Sequence, residues 1–498
     1  MKQNAASTVI SYLLPRTQDA LFICILLVVC VRGSDLFNSD GDLGRHITLG
    51  TYMLQHGIPY RDIFSHTMAG QYLVSHEWLA QIAFGAVHTV LGLGGAVLLT
   101  AVLIATTFTL VYREILRRNI HYLPALSITV LAAFTSILHW LARPHIFTFL
   151  FVALWTYHLQ KIMEGKPLKI WIFPLLMLLW ANTHGAFIMG FFILAAYLAG
   201  WIWQYLSRES TFEPGRKLIL IGTLSFAATF INPYGWRLWT TSVGYFGNTF
   251  LVDYTIEYQS PNFHDFSAWP FLLMLSLGLV APAIGRKIQP AEAFLLAGFT
   301  ALGLYSERNI PLFAIVSAPY LAAMLQPVFE KLAVSNRMEK SIVNVEGQLP
   351  TNSIILPCLT ALLMIGSIKQ GILLDSAGLG YQYDPDKFPV QAADWLEQNP
   401  QSGNVFNHFI WGGYLLYRAW PEVTVFIDGQ TDFYGEALTL EYVEVEILHE
   451  NWKDVLAKYD VTWAIIKADE TKLTEALQSE LGWKVLYKDN TAIVLRQP

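Results

Sequence analysis

Long apolar stretches separated by short polar loops occupy the first three quarters of the chain. Apolar runs of roughly 17–22 residues are the length that crosses a bilayer as a helix. About eleven such runs are read at 17–34, 94–113, 122–140, 146–160, 170–183, 187–205, 218–232, 269–284, 290–305, 309–325 and 353–368. Another apolar helix is predicted at about 76–91. In 43–56, Ile47, Leu49, Tyr52 and Met53 recur at helical spacing, which predicts a helix lying against the membrane surface. From about residue 378 onward, charged residues become common and the long apolar runs stop. Strand-like stretches there are 404–407, 423–427, 463–467, 483–487 and 492–495. They alternate with helix-like ones at 390–398, 438–448, 453–458 and 472–481. The chain therefore reads as an α-helical polytopic membrane protein with a membrane domain over 1–377 and a small α/β domain over 378–498.

Loop charges set the topology, because Lys and Arg are retained on the cytoplasmic side. One set of loops carries Arg113, Arg117 and Arg118, then Lys161, Lys166 and Lys169, then Arg208, Arg216 and Lys217. Arg286 and Lys287 follow, and finally Lys331, Arg337 and Lys340. These loops alternate with loops poor in Lys and Arg. The alternation closes only if 76–91 does not span, so this segment is read as a second surface helix within an outer loop over 35–93. The N-terminus is then cytoplasmic, the C-terminal domain lies outside, and Lys2 and Arg16 precede an uncleaved first span.

Composition agrees. Of 498 residues, 54% are hydrophobic and 14% charged, against about a quarter charged in a soluble protein. The mean hydropathy is +0.40. A disordered or collagen-like chain is excluded, and a net charge of −6 gives no basic field for nucleic acid. The three cysteines, Cys24, Cys30 and Cys358, lie in apolar runs and read as small core residues.

Candidate chemistry concentrates in the outer loops. The first holds Asp40, Asp42, Arg45 and His46, then Asp62 and His66, then His76 and Glu77. Arg143 and His145 stand at one outer helix end, His184 at another, Arg308 at a third, and Glu257 in the longest late outer loop. Each has an ordinary explanation: Asp42 caps a helix, the arginines snorkel, Asn232-Pro233-Tyr234-Gly235 makes a turn and His184 packs in the core. Polar groups at membrane depth are costly, however, and usually line a cavity or pathway. Their gathering on one side points to a site.

The stretch Asp42-x-x-Arg45-His46, a surface helix, Asp62-Ile63-Phe64-Ser65-His66 and a second surface helix resembles the polyprenyl-phosphate-sugar-dependent glycosyltransferases of the type C membrane fold. The protein O-mannosyltransferases and the lipid A aminoarabinose transferases are similar. Asp42 and Arg45 match that family's first motif, while Leu43 replaces its usual Glu and Ser65-His66-Thr67 stands where it has a Pro-Pro motif. The chain is also similar, nearly end to end, to a large group of bacterial membrane proteins of this superfamily (glycosyltransferase family 39-like). The shared features are His76-Glu77-Trp78-Leu79, Arg143-Pro144-His145, Asn182-Thr183-His184-Gly185, Asn232-Pro233-Tyr234-Gly235, Trp411-Gly412-Gly413-Tyr414 and the segment 426–432.

The resemblance implies transfer of a sugar from a polyprenyl-phosphate donor to an acceptor (protein, lipid or polysaccharide) at the outer face of the bacterial cytoplasmic membrane. It implies Asp42, with Asp40, as the catalytic acids, and Arg45 as a cation keeping Asp42 charged. Arg143 and Arg308 would be phosphate clamps, and His46, Asp62, His66, His76, Glu77, His145, His184 and Glu257 would bind substrate. No cofactor is required, although Asp40-Gly41-Asp42 has a spacing that can hold Mg²⁺ or Mn²⁺. The C-terminal domain reads as a recognition or lid module. Two other classes share the many spans: a flippase for a lipid-linked glycan, and a non-catalytic envelope-assembly protein. Inverted repeats and interrupted mid-membrane helices, which transporters often show, are not evident.

Overall fold

The computed structural model describes residues 14–244, 250, 255–284, 288–349, 355–372, 378 and 380–498. The loop cations Arg286 and Lys287 and the boundary expected at 377/378 lie outside the described residues. Each apolar run falls on a helix. Among the described residues, five helices are long and apolar enough to cross a membrane: Leu93–Arg117, Tyr122–His139, His145–Met163, Gly185–Leu206 and Glu307–Glu330. Shorter apolar helices cover five more runs at Thr17–Val31, Ile172–Thr183, Phe266–Val280, Pro290–Tyr305 and Ile355–Lys369. The remaining run is helix Phe212–Ala228, whose first turns carry Glu213, Arg216 and Lys217.

Loops expected to be cytoplasmic meet at one end of the bundle. Arg118 reaches Glu292 at 2.8 Å and Glu114 at 2.9 Å, and Arg117 pairs with Glu114 and Glu164. A cavity of about 480 Å³ lies among these groups, lined also by Lys166 and Tyr320. An amphipathic helix at Ala333–Glu346, not anticipated from the sequence, closes this end. Its Glu346 accepts hydrogen bonds from the Thr17 N–H (2.7 Å) and hydroxyl (2.6 Å), at the first helix's N-terminus.

The opposite end carries the two surface helices, Asp42–His56 and Trp78–Leu91. The first is amphipathic: Leu43, Ile47, Leu49 and Met53 are buried, while Leu54, Gln55 and His56 are exposed. The two helices cross where Gly50 meets the Gln81 carbonyl and the Gly85 backbone.

The C-terminal sheet has the order β1 (Asn404–Asn407), β2 (Val461–Lys467), β4 (Ala492–Arg496) and β3 (Lys484–Lys488). β1 and β2 are parallel; the other pairs are antiparallel. Alternate residues face opposite layers, as strand geometry demands. Val405, Trp463, Ile465 and Val494 join the core that continues into the helical bundle. Phe406, Ala464, Ile466 and Ile493 join a second core beneath helices Thr431–Glu446, Trp452–Lys458 and Thr471–Leu481.

One strand expected from the sequence, 423–427, is not in the sheet. Its backbone groups are satisfied elsewhere. The Val425 N–H donates to the Phe64 carbonyl (3.0 Å), and the Val425 carbonyl accepts from the His66 N–H (3.1 Å). The Asn407 side chain accepts from the Phe426 N–H (2.8 Å) and donates to the Ile427 carbonyl (2.9 Å). Helix Gly412–Ala419, also unexpected, begins with two glycines that disfavour helix on propensity alone. Packing explains them. A Cβ on Gly44 would run into the Gly413 carbonyl, and one on Gly413 into the Gly41 carbonyl. The C-terminal region thus docks backbone to backbone on the Asp42–His56 helix.

Candidate functional site

Asp42 is the first residue of its surface helix, so the cap position falls to Gly41, one residue earlier than expected. Asp40 instead serves the helix end, its Oδ1 accepting the Asp42 N–H at 3.0 Å. This leaves the Asp42 carboxylate available, and it contacts the Arg143 guanidinium directly. Arg143 sits in the bend between the His139 turn and helix His145–Met163. The Ala142 N–H donates to the Leu36 carbonyl (2.8 Å), pinning that bend beside the Asp40 loop.

Arg143 is held by three carboxylates. Besides Asp42 it faces Asp40 Oδ2 at 3.6 Å and Glu257 Oε2 at 3.7 Å. Glu257 also faces Arg308 at 3.5 Å and His139 Nδ1 at 4.0 Å, and Arg308 contacts the Tyr258 hydroxyl. Burial pushes the Glu257 carboxyl up, but Arg308 and Arg143 overcome this and hold it down at about 2. Asp40 goes the other way. Burial raises it to about 6, with Arg143 opposing and the neighbouring Asp42 adding to the rise.

A second group adjoins the first. Glu77 is ringed by three imidazoles: His184 Nε2 at 3.5 Å, His76 Nε2 at 3.8 Å and His46 Nδ1 at 3.9 Å. Hydrogen bonding fixes the His184 tautomer. The Trp180 indole donates to Thr148 Oγ1 (2.9 Å), which leaves the Thr148 hydroxyl to donate to His184 Nδ1 (2.9 Å). The Ala186 N–H points at the same nitrogen (3.3 Å), so the ring proton resides on Nε2, toward Glu77. Burial raises the Glu77 carboxyl and, together with Arg143, pushes His46 well below its ordinary value. His145 bridges the two groups, its ring centroid 6.4 Å from those of both His184 and His139.

Ten of the sequence-derived residues therefore form one network: Asp40, Asp42, His46, His76, Glu77, Arg143, His145, His184, Glu257 and Arg308. Three do not join it. Arg45 does not support Asp42, as had been expected; that partner is Arg143. One helical turn along, Arg45 is buried over the Phe64 ring, its Nε 3.5 Å from Asp428 Oδ1. Asp62 shapes the loop, accepting from the Ser65 hydroxyl (2.7 Å) and N–H (2.9 Å). His66 docks the C-terminal region through Nε2 to the Val405 carbonyl (3.0 Å). Asn232-Pro233-Tyr234-Gly235 is a turn, the Tyr234 N–H donating to Asn232 Oδ1 at 2.7 Å.

Sequence reasoning missed His139, which carries no motif of its own, and the C-terminal region adds a loop with Asp428, Gln430, Asp432 and Tyr434. The loop holding the last four lies against the site, because a Cβ on Gly429 would run into Asp42 Oδ1. Asp432 acts electrostatically on both Arg45 and Glu77. Several buried polar atoms here lack a hydrogen-bond partner: Asp40 Oδ2, Arg45 Nη1 and Nη2, Asp428 Oδ2 and the Tyr383 hydroxyl. Each such atom costs about 1–3 kcal/mol, a cost that a polar ligand would relieve. For a divalent cation the fit is poor, because the Arg143 guanidinium already stands between the Asp40, Asp42 and Glu257 carboxylates.

No protein-family model matches the chain, and no curated protein matches it by sequence. Solved structures do. The apo oligosaccharyltransferase of Archaeoglobus fulgidus aligns with a TM-score of 0.62 at 14% identity, covering 96% of this chain and 74% of that one. The A. fulgidus oligosaccharyltransferase AglB, in complex with an inhibitory peptide and a dolichol-phosphate, aligns at 0.59 and 14%, covering 91% and 69%. ArnT from Cupriavidus metallidurans, bound to undecaprenyl phosphate, aligns at 0.55 and 15%, covering 96% and 97%. The chain has the fold of the type C membrane glycosyltransferases.

Proposed function

We propose that the protein is a membrane glycosyltransferase that moves a sugar from a polyprenyl-phosphate donor to an acceptor hydroxyl. Transfer takes place at the outer face of a bacterial cytoplasmic membrane, with the N-terminus inside and the C-terminal domain outside. The carrying observation is the direct contact of Asp42 with Arg143, inside a network of acids, imidazoles and a second arginine. Support comes from the likeness to ArnT bound to undecaprenyl phosphate and to AglB in complex with a dolichol-phosphate.

The chemistry follows from charge. A guanidinium offers paired donors to a phosphate, so Arg143 and Arg308 are the clamps for the leaving group. While Arg143 holds Asp42, the carboxylate is engaged by the guanidinium and not free to accept a proton from the acceptor. A donor phosphate competing for Arg143 frees it, so the base becomes available only once donor is bound. The acceptor oxygen then attacks the anomeric carbon opposite the phosphate and passes its proton to Asp42. The bond from carbon to phosphate oxygen breaks with its electron pair on the phosphate, inverting the centre in one step. Glu257 holds both arginines in place.

Purified protein in bilayers, supplied with a panel of labelled polyprenyl-phosphate sugars, tests this. Turnover or donor hydrolysis that is lost in Asp42→Asn, with the variant still folded, supports the enzyme. Undiminished product from that variant removes Asp42 from the mechanism. Vectorial lipid movement without turnover would indicate a flippase instead.

A further inference from the structure

The C-terminal region carries a second cluster of ionisable side chains: His408, Glu446 and Glu470. Each comes from a different element. His408 directly follows β1, and Glu470 stands three residues beyond the end of β2. Because β1 and β2 are parallel neighbours, both residues emerge at the same carboxyl edge of the sheet, where α/β folds tend to place ligands. Glu446 is the last residue of helix Thr431–Glu446, whose outward carbonyls favour a cation at that end.

The three side chains offer one nitrogen and two oxygens within 4.8 Å of one another. His408 Nε2 and Glu470 Oε1 are 3.6 Å apart, too long for a hydrogen bond and close to the separation of two ligand atoms around a tetrahedral ion. His408 is only 6% exposed, and its Nδ1 is buried without a hydrogen-bond partner. Among the described residues neither carboxylate accepts a side-chain hydrogen bond. Glu446 and Glu470 are two acids sharing this small space, which a cation would reconcile. Lys467 is the cation acting on both carboxylates and on the imidazole, and it is the competitor for this place.

We propose that His408, Glu446 and Glu470 form a binding site for a divalent transition-metal ion of the Zn²⁺ or Mn²⁺ class. An imidazole with two carboxylates suits those ions, whereas Ca²⁺ and Mg²⁺ prefer all-oxygen sets. Among the described residues the site shares no hydrogen bond or ion pair with the Asp42–Arg143 network, so it stands apart from the transferase chemistry. Its role is to pin the end of helix Thr431–Glu446 to the sheet. Asp432 and Tyr434, beside Arg45, lie across a break at Gly435 (φ 72°, ψ 174°), so the ion would anchor the stretch from the break to Glu446 rather than that first turn.

Full-length, tag-free protein in detergent is titrated with Zn²⁺ alone, Mn²⁺ alone and Ca²⁺ alone, reading stoichiometry by calorimetry and stability by thermal unfolding. One Zn²⁺ or Mn²⁺ per chain with a raised Tm, and no such response to Ca²⁺, is expected. Glu470→Gln and Glu446→Gln should each weaken binding at least tenfold. These less buried positions keep the test open should His408→Gln fail to fold. Absence of Zn²⁺ and Mn²⁺ binding, or undiminished binding in both Glu variants, overturns the proposal.

Discussion

Asp42 and Arg143, 101 residues apart in the chain, touch carboxylate to guanidinium where a surface helix begins and two bundle helices bend. The arginine is shared by three acids, so its planar fork is used in several directions at once. Lysine presents a single point charge and cannot reproduce this. Arg143→Lys should lower transfer by roughly 100- to 1,000-fold, the scale of losing one charge-stabilising donor. Steady-state turnover with a saturating donor measures it, and near-normal turnover would take Arg143 out of phosphate handling.

Asp40 should set an acid limb. Its folded-state pKa is raised from 3.8 to about 6, so the folded protein holds this proton more tightly than the unfolded chain. The stability it contributes is full below about pH 4 and is lost as pH rises through about 6. Activity should run the opposite way if the ionised form helps hold Arg143, rising with an apparent pKa near 6. In Asp40→Asn that limb should flatten. A pH profile of turnover from pH 4.5 to 8 decides this, with a thermal-stability profile as control.

Gly429 has no room for a side chain, because its missing Cβ would point at Asp42 Oδ1. Gly429→Ala should displace either the loop or the carboxylate. A shift of about 1 Å in a catalytic group can cost on the order of 100-fold in rate. The expected signature is reduced turnover with donor binding retained; wild-type rates would show that the loop stands clear of Asp42 during turnover.

The Arg45–Asp428 pair is almost wholly buried, at 3% and 0% exposure. Removing one member of such a pair strands the other charge and costs about 3–5 kcal/mol, whereas replacing both with apolar residues is often close to neutral. Arg45→Met should therefore lower the unfolding temperature sharply, and Arg45→Met with Asp428→Leu should recover much of it. Equal loss in the single and double variants would mean that packing over Phe64, not charge, makes the contribution.

The helices of this protein were legible because bilayer-length apolar runs and the alternation of basic loops leave few other arrangements. The site was legible as a set of residue types on one side of the bundle, but its pairings were not. Arg45 looked like the partner of Asp42 because they lie one helical turn apart. That turn points Arg45 toward Asp428, nearly four hundred residues later, and no local pattern reveals it. The strand expected at 423–427 fails for the same reason. Residues 423–427 are β-branched and aromatic as a strand should be, yet their hydrogen bonds go to the Asn407 side chain and the first long loop. His139 escaped notice because only the bend at Arg143 brings it to Glu257.

The glycine crossing between the Asp42–His56 and Gly412–Ala419 helices ties two distant stretches of sequence to one evolutionary fate. Any side chain acquired at position 44 or 413 would wedge the crossing open and tilt the end that carries Asp42. In divergent descendants of this chain, changes at these positions should therefore appear as matched sets, and grafting a foreign C-terminal region onto the bundle should disable it even when both pieces fold.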